Sequence, residues 1–130
     1  MTAPWRRFPD VPRLLVGLLL QRHGSGAAGI ETPPNLHQLT RFVRVMRVGG
    51  ASDAVNDYAH VEFDWFAPTY TALDEMSQRD HQWLLGGGLR HGAAVVDRVT
   101  CEQAPTEMPW APGMRRFNGI YEIVSRRHPA

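Results

Sequence analysis

The sequence predicts an α+β domain: a four-stranded, mainly antiparallel sheet with two helices packed on one face, in the order α-β-β-α-β-β. Three observations predict it. Val11, Leu14, Leu15, Leu18 and Leu19 recur at helical spacing. Tyr58 to Phe66 alternates apolar and polar residues with the period of a strand. The last third of the chain holds two segments rich in β-branched and aromatic residues, about Ala93 to Cys101 and about Arg116 to Arg126. At 130 residues the chain is one domain, 1–130, because two cores of half that length would each be marginal without metals or disulfides.

The elements follow in order. Asp10 is a suitable N-cap, Pro12 falls in the first turn, where its missing N–H does no harm, and Gly24 marks the stop. Phe8 precedes the cap, where it can staple against the apolar stripe. Gly24 to Gln38, with Pro33-Pro34, reads as a loop. Leu39 to Val48 is β-rich and ends at Gly49-Gly50, and Gly49 to Asp57 then forms the long tip of a hairpin with Tyr58 to Phe66. In that second strand Ala59, Val61, Phe63 and Trp65 share one face, while Tyr58, His60, Glu62 and Asp64 share the other. After Pro68, the spacing of Ala72, Leu73, Met76, Trp83 and Leu84 predicts a helix up to Gly86-Gly87-Gly88. The two final strands flank a loop, Glu102 to Arg115, that holds Pro105, Pro109 and Pro112.

Composition removes several functions. All fourteen basic residues are Arg, so Schiff-base chemistry and a phosphate-loop lysine are excluded. The formal net charge of +1 argues against a dedicated nucleic-acid binder. Cys101 is alone and forms no internal disulfide. The longest apolar run, Leu14 to Leu20, is far shorter than the ~20 residues of a membrane span. Met1 to Phe8, followed by Pro9-Asp10, does not read as a secretory signal.

A width argument bears on assembly. Four strands spaced ~4.8 Å apart make a sheet roughly 19 Å wide, and two helices of ~10 Å diameter cover that width on one face only. Three strands nevertheless carry apolar residues on both faces: Val43 and Val45 against Phe42, Met46 and Val48; Val95 and Val99 against Val96; Phe117, Tyr121 and Ile123 against Ile120 and Val124. Either the loops fold over the second face or another subunit covers it, and the second is the expectation taken here.

Catalytic signals are weak. His60, Glu62 and Asp64 lie at ~6.6 Å intervals along one strand face, yet His23, His37, His81, His91 and His128 are scattered without metal-ligand spacing. Glu102 beside Cys101 raises rather than lowers a thiol pKa. No catalytic, metal or cofactor site is expected. Arg41, Arg44 and Arg47 recur every third residue, with Arg44 on the opposite face from the other two. Their partners are carboxylates across a subunit boundary or, equally, Glu62 and Asp64 within the hairpin. Met108, Trp110 and Met114, held between prolines, are suited to act as docking anchors or to fold back on their own domain.

The ordered set of segments resembles the tail terminator proteins of long-tailed bacteriophages, also called minor tail or neck proteins. The matching pieces are Phe8-Pro9-Asp10-Val11, Arg44-Val45-Met46-Arg47-Val48-Gly49-Gly50, and Asp57 to Ala67. They continue with Val95-Val96-Asp97-Arg98-Val99, Ala104-Pro105, and Arg115-Arg116 before a strand through Tyr121. The long Gly/Pro stretch from Ser25 to Asn35 and the triple glycine depart from the pattern. The resemblance implies a virion subunit, assembled in the host cytoplasm, that forms a homohexameric ring on the head-proximal end of the tail tube. Such a ring stops tube polymerisation and joins the tail to the head connector. Its partners are copies of itself, the tube protein and the connector, and genomic DNA passes through the lumen without being read. It implies no catalysis, metal, cofactor or membrane. On this chain the ring contacts fall to Arg44, Arg47, Glu62, Asp64 and Arg116. Contact with tube or connector falls to the tip around Asp53 and to Met108, Trp110 and Met114. Two other readings are a different neck protein, for head closure or connector completion, and a small ligand-binding protein or enzyme using His60, Glu62 or Asp64.

Overall fold

Asp10 caps the first helix, α1 (Val11–His23), by accepting a hydrogen bond from the Arg13 amide at 3.3 Å, with Pro12 in the first turn. Thr69 caps the second, α2 (Tyr70–Leu85), through its hydroxyl and the Ala72 amide. A computed structural model of the protein describes residues 7–127; His128 lies outside them. The strands are β1 (Ala28–Gly29), β2 (Phe42–Ser52), β3 (Asn56–Ala67), β4 (Arg90–His91), β5 (Ala94–Met108) and β6 (Arg115–Arg126). A 3₁₀ turn, Leu36–Gln38, precedes β2. Among the described residues no helix is long and apolar enough to cross a membrane.

The sheet corrects the predicted fold. It has six strands rather than four, in the order β1-β2-β3-β6-β5-β4, and it is mixed, because β1 runs parallel to β2. It curls into a half-barrel. The two additional strands are two residues each and sit at the edges, too short to leave a periodic signal. A further correction concerns Glu102 to Arg115: β5 continues through this expected loop to Met108. Register shifts on either side of Gln103 accommodate Pro105, and the strand lies at an edge of the long ladder, where a missing N–H is tolerated. The first hairpin is also longer than its tip suggested. β2 runs through Gly49-Gly50 by means of a bulge after Arg47, which leaves only a short turn around Asp53.

Both helices pack on one face. Ala59, Val61, Phe63 and Trp65 point into this core and are fully buried, as are Val43 and Val45 of β2 and Tyr121 and Ile123 of β6. α1 touches both β1–β2 at one edge and β4 at the other, so the sheet curls around it and the helices occupy the concave side. Phe63 stacks on Trp65 and meets Tyr121 edge-on, with ring centroids 5.5 and 5.3 Å apart. Each fully buried side chain of this size contributes ~1.5–3 kcal/mol.

The opposite face is covered only at one end. There Leu36, Phe42, Phe66 and Met114 form a second small cluster with Leu39 against it, so the chain's own loops cover this part of the second face. Met46 and Val48 remain exposed.

Gly50 holds the bulged hairpin together. Its φ is +118°, and a Cβ at this position would collide with the carbonyl oxygen of Tyr58 on the paired strand. Gly50→Ala should therefore cost about 2–4 kcal/mol in urea denaturation. Gly113→Ala, also at positive φ but facing open space, should cost only about 1 kcal/mol.

Candidate functional site

Strand alternation brings Arg44, Asp64, Asn118 and Thr106 into one row across the helix-free face. Asp64 is 1% exposed at the centre of that row. It accepts from Arg44 Nε at 3.0 Å and also from Arg44 Nη2, and from Asn118 Nδ2 at 2.8 Å. Arg116 Nη1 stands 3.9 Å away, and Gln103 Nε2 donates to Asn118 Oδ1 at 2.8 Å, which extends the network to β5. A buried carboxylate is tolerable only when it is this fully paired. Of the two readings of Arg44, pairing within the hairpin is the one the geometry has. Arg44 Nη2 is also 3.8 Å from Glu62.

The row of His60, Glu62 and Asp64 does not converge. His60 turns to β5 and β6, with Nδ1 2.9 Å from Glu102 and Nε2 3.5 Å from Glu122. The two carboxylates flank the ring on opposite sides, while Glu62 and Asp64 face Arg44. Among the described residues no group of three His, Cys, Asp or Glu side chains is placed to hold a metal ion. Cys101 is half-buried, and burial, with Glu102 adding to it, pushes its thiol pKa up, which is the wrong direction for a nucleophile.

Arg47 lies on the other face from Arg44, opposite Val61. Its guanidinium forks onto buried Asp57 at 2.7 and 2.9 Å, and the Ser52 hydroxyl donates to the same carboxylate at 2.6 Å. Asp53 is committed to the turn, accepting from the Val55 and Asn56 amides at 2.8 and 2.7 Å, and these bonds hold its carboxyl below the usual range. The side chain displayed at the tip is Val55, 58% exposed, a position the sequence reading did not single out.

The three apolar residues at and beyond the end of β5 separate. Met114 is buried in the second cluster, while Met108 and Trp110 are 38% and 41% exposed. Trp110 rests edge-on against Phe66 at 4.9 Å, and Arg116 lies over its ring at 5.2 Å. The Nε of Arg116 is buried with no hydrogen-bond partner among the described residues. Met114 thus anchors the loop and Trp110 faces outward above it.

Sequence reading missed two buried polar groups. Asp80 is fully buried and accepts from Trp65 Nε1 at 2.8 Å, His23 Nε2 at 2.8 Å and Arg22 Nε at 3.1 Å. The Tyr121 hydroxyl lies 2.6 Å from His81 Nδ1, and burial, together with the charges of Cys101 and Asp80, raises its pKa. A signal for Asp80 was present, since it falls on the same helical stripe as Leu73, Met76 and Leu84.

No protein-family model matches the chain, and no curated protein is significantly similar to it.

Burial opposes the charge on Asp57, but the Arg47 and Ser52 hydrogen bonds and the Arg47 charge outweigh it, so its pKa is lowered. The stability this contributes is present above the unfolded carboxyl value of about 3.9 and is lost as pH falls through the lower folded value. Asp57→Asn should cost about 2 kcal/mol at neutral pH and flatten the acid limb of a stability-against-pH curve.

Proposed function

We propose that this protein is a structural subunit that closes into a ring with copies of itself, ends the growth of a phage tail tube and joins the tail to the head connector. The likeness of its ordered segments to tail terminator proteins supports the reading, and one structural observation carries it. The sheet has two long open edges. β1 pairs with β2 only at Val43 and Arg44, and β4 pairs with β5 only at Ala94 and Val95. Among the described residues, Met46–Ser52 and Asp97–Met108 have no main-chain partner on their outer sides. Exposed edges of this length are templates for another strand.

The two edges differ in sequence and lie at opposite ends of one curled sheet, so contact between copies is head-to-tail. Contacts of that kind generate rings when the rotation closes. Growth ends when the outer face of the ring no longer repeats the stacking surface of the tube. Arg44, Asp64 and Arg47 spend their charges inside the subunit, so in this reading they shape the face rather than bridge subunits. Met46 and Val48 remain for a neighbour, and Trp110 and Met108 for tube or connector. The helix-free face carries charges of both signs, consistent with DNA passing without being read.

Native mass spectrometry and electron microscopy with the tube protein test this directly. Rings seated on tube ends, and tubes of limited length, are expected; unlimited tubes in the presence of folded protein would overturn the proposal. Val48→Lys on the open β2 edge should leave the monomer folded and abolish rings. Trp110→Ala should cost about 1 kcal/mol of stability while reducing tail completion at least tenfold.

A further inference from the structure

A cleft of ≈ 430 Å³ lies between the last turn of α1, the start of β2 and one side of α2, within the size range of small-molecule sites. Ala72 and Met76 give it an apolar wall, and Arg22, Arg41 and Arg79 line it together. Arg22 is held in place from behind: its Nε donates to buried Asp80 at 3.1 Å, and its guanidinium lies 4.6 Å over the Trp83 ring. Its two terminal amino groups make no hydrogen bond with any described residue and are left to donate into the cleft. The side chains of Arg41 and Arg79 make no hydrogen bond or ion pair with any described residue. Elsewhere, by contrast, Arg44, Arg47, Arg115 and Arg126 all pair with a carboxylate.

We propose that this cleft binds a small monoanionic carboxylate with an apolar body. The hydrocarbon part lies against Ala72 and Met76, and the carboxylate takes charge-assisted, bidentate hydrogen bonds from the arginines. Glu75 also lines the cleft, and with Arg22 already offset by Asp80 it leaves Arg41 and Arg79 a net charge near +1, which a monoanion balances and a dianion exceeds. The planar guanidinium fork serves either group, so the apolar wall and Glu75 together decide for the carboxylate. This site is independent of ring formation.

Calorimetric titration with benzoate, against inorganic phosphate and sodium chloride at matched ionic strength, tests the proposal. Saturable one-to-one binding of benzoate, weaker binding of phosphate, and a benzoate-induced shift of the Arg22 Nε–H resonance are expected. Arg41→Gln combined with Arg79→Gln touches no internal pair, so it should melt like the parent and bind benzoate at least about tenfold more weakly. The single variants supply the same comparison if the double variant folds poorly. Absence of saturable binding, phosphate binding tighter than benzoate, or variants that bind like the parent would each overturn the assignment.

Discussion

Asp80 sits where both helices meet the central strand, and its two oxygens take hydrogen bonds from Trp65 Nε1, His23 Nε2 and Arg22 Nε. A carboxylate with no solvent exposure costs several kcal/mol in lost hydration. It is kept here because three donors from two other elements converge on it. The arrangement positions α1 by its last turn, sets α2 against Trp65, and orients Arg22 toward the cleft beside it. Hydrophobic burial supplies most of the stability, but it is not directional. The hydrogen bonds to Asp80 choose one placement of the helices among those that bury similar area.

The two faces of the sheet are stabilised by different physics. The concave side is a packed apolar core around Phe63, Trp65 and Tyr121. The other side is a polar lattice centred on Asp64, with a small apolar cluster closing one end. Because the Arg44–Asp64 and Arg47–Asp57 pairs are satisfied within the subunit, they stiffen the hairpin, and Asn118 and Gln103 extend the Asp64 network to β6 and β5, without needing a partner. Any assembly must then rely on groups the subunit leaves unused, which are main-chain edges and a few exposed apolar side chains.

The legible parts of the fold were those with a period. Alternation placed Ala59, Val61, Phe63 and Trp65 on the buried face, and the helical stripes with their caps located both helices. What could not be read has physical reasons. Ala28–Gly29 and Arg90–His91 are strands only because longer neighbours pair with them. Three prolines concealed the continuation of β5, since an edge strand tolerates a residue that an inner strand would reject. Met114 and Trp110 lie in the same loop and both touch Phe66, yet only Met114 is buried, a difference set by tertiary packing that no local pattern announces. The basic cleft assembles residues from three elements distant in sequence, a convergence that no local spacing announces.

The ladder registers line up rung by rung. Gly50 is level with Ala59, Ile123 and Val99, and Met46 with Glu62, Ile120 and Gln103. Strand β1 occupies one rim below these rungs, at Val43 and Arg44, while β4 and Leu89 occupy the other rim above them, at Ala94 to Val96. The vacant stretches of both rims therefore share the same storey. Two copies abutted without vertical offset would bring bare amides against bare carbonyls over Met46–Ser52 and Asp97–Gln103, whereas β1, level with Thr106, would meet the outer end of the neighbour's β5 and would have to move aside.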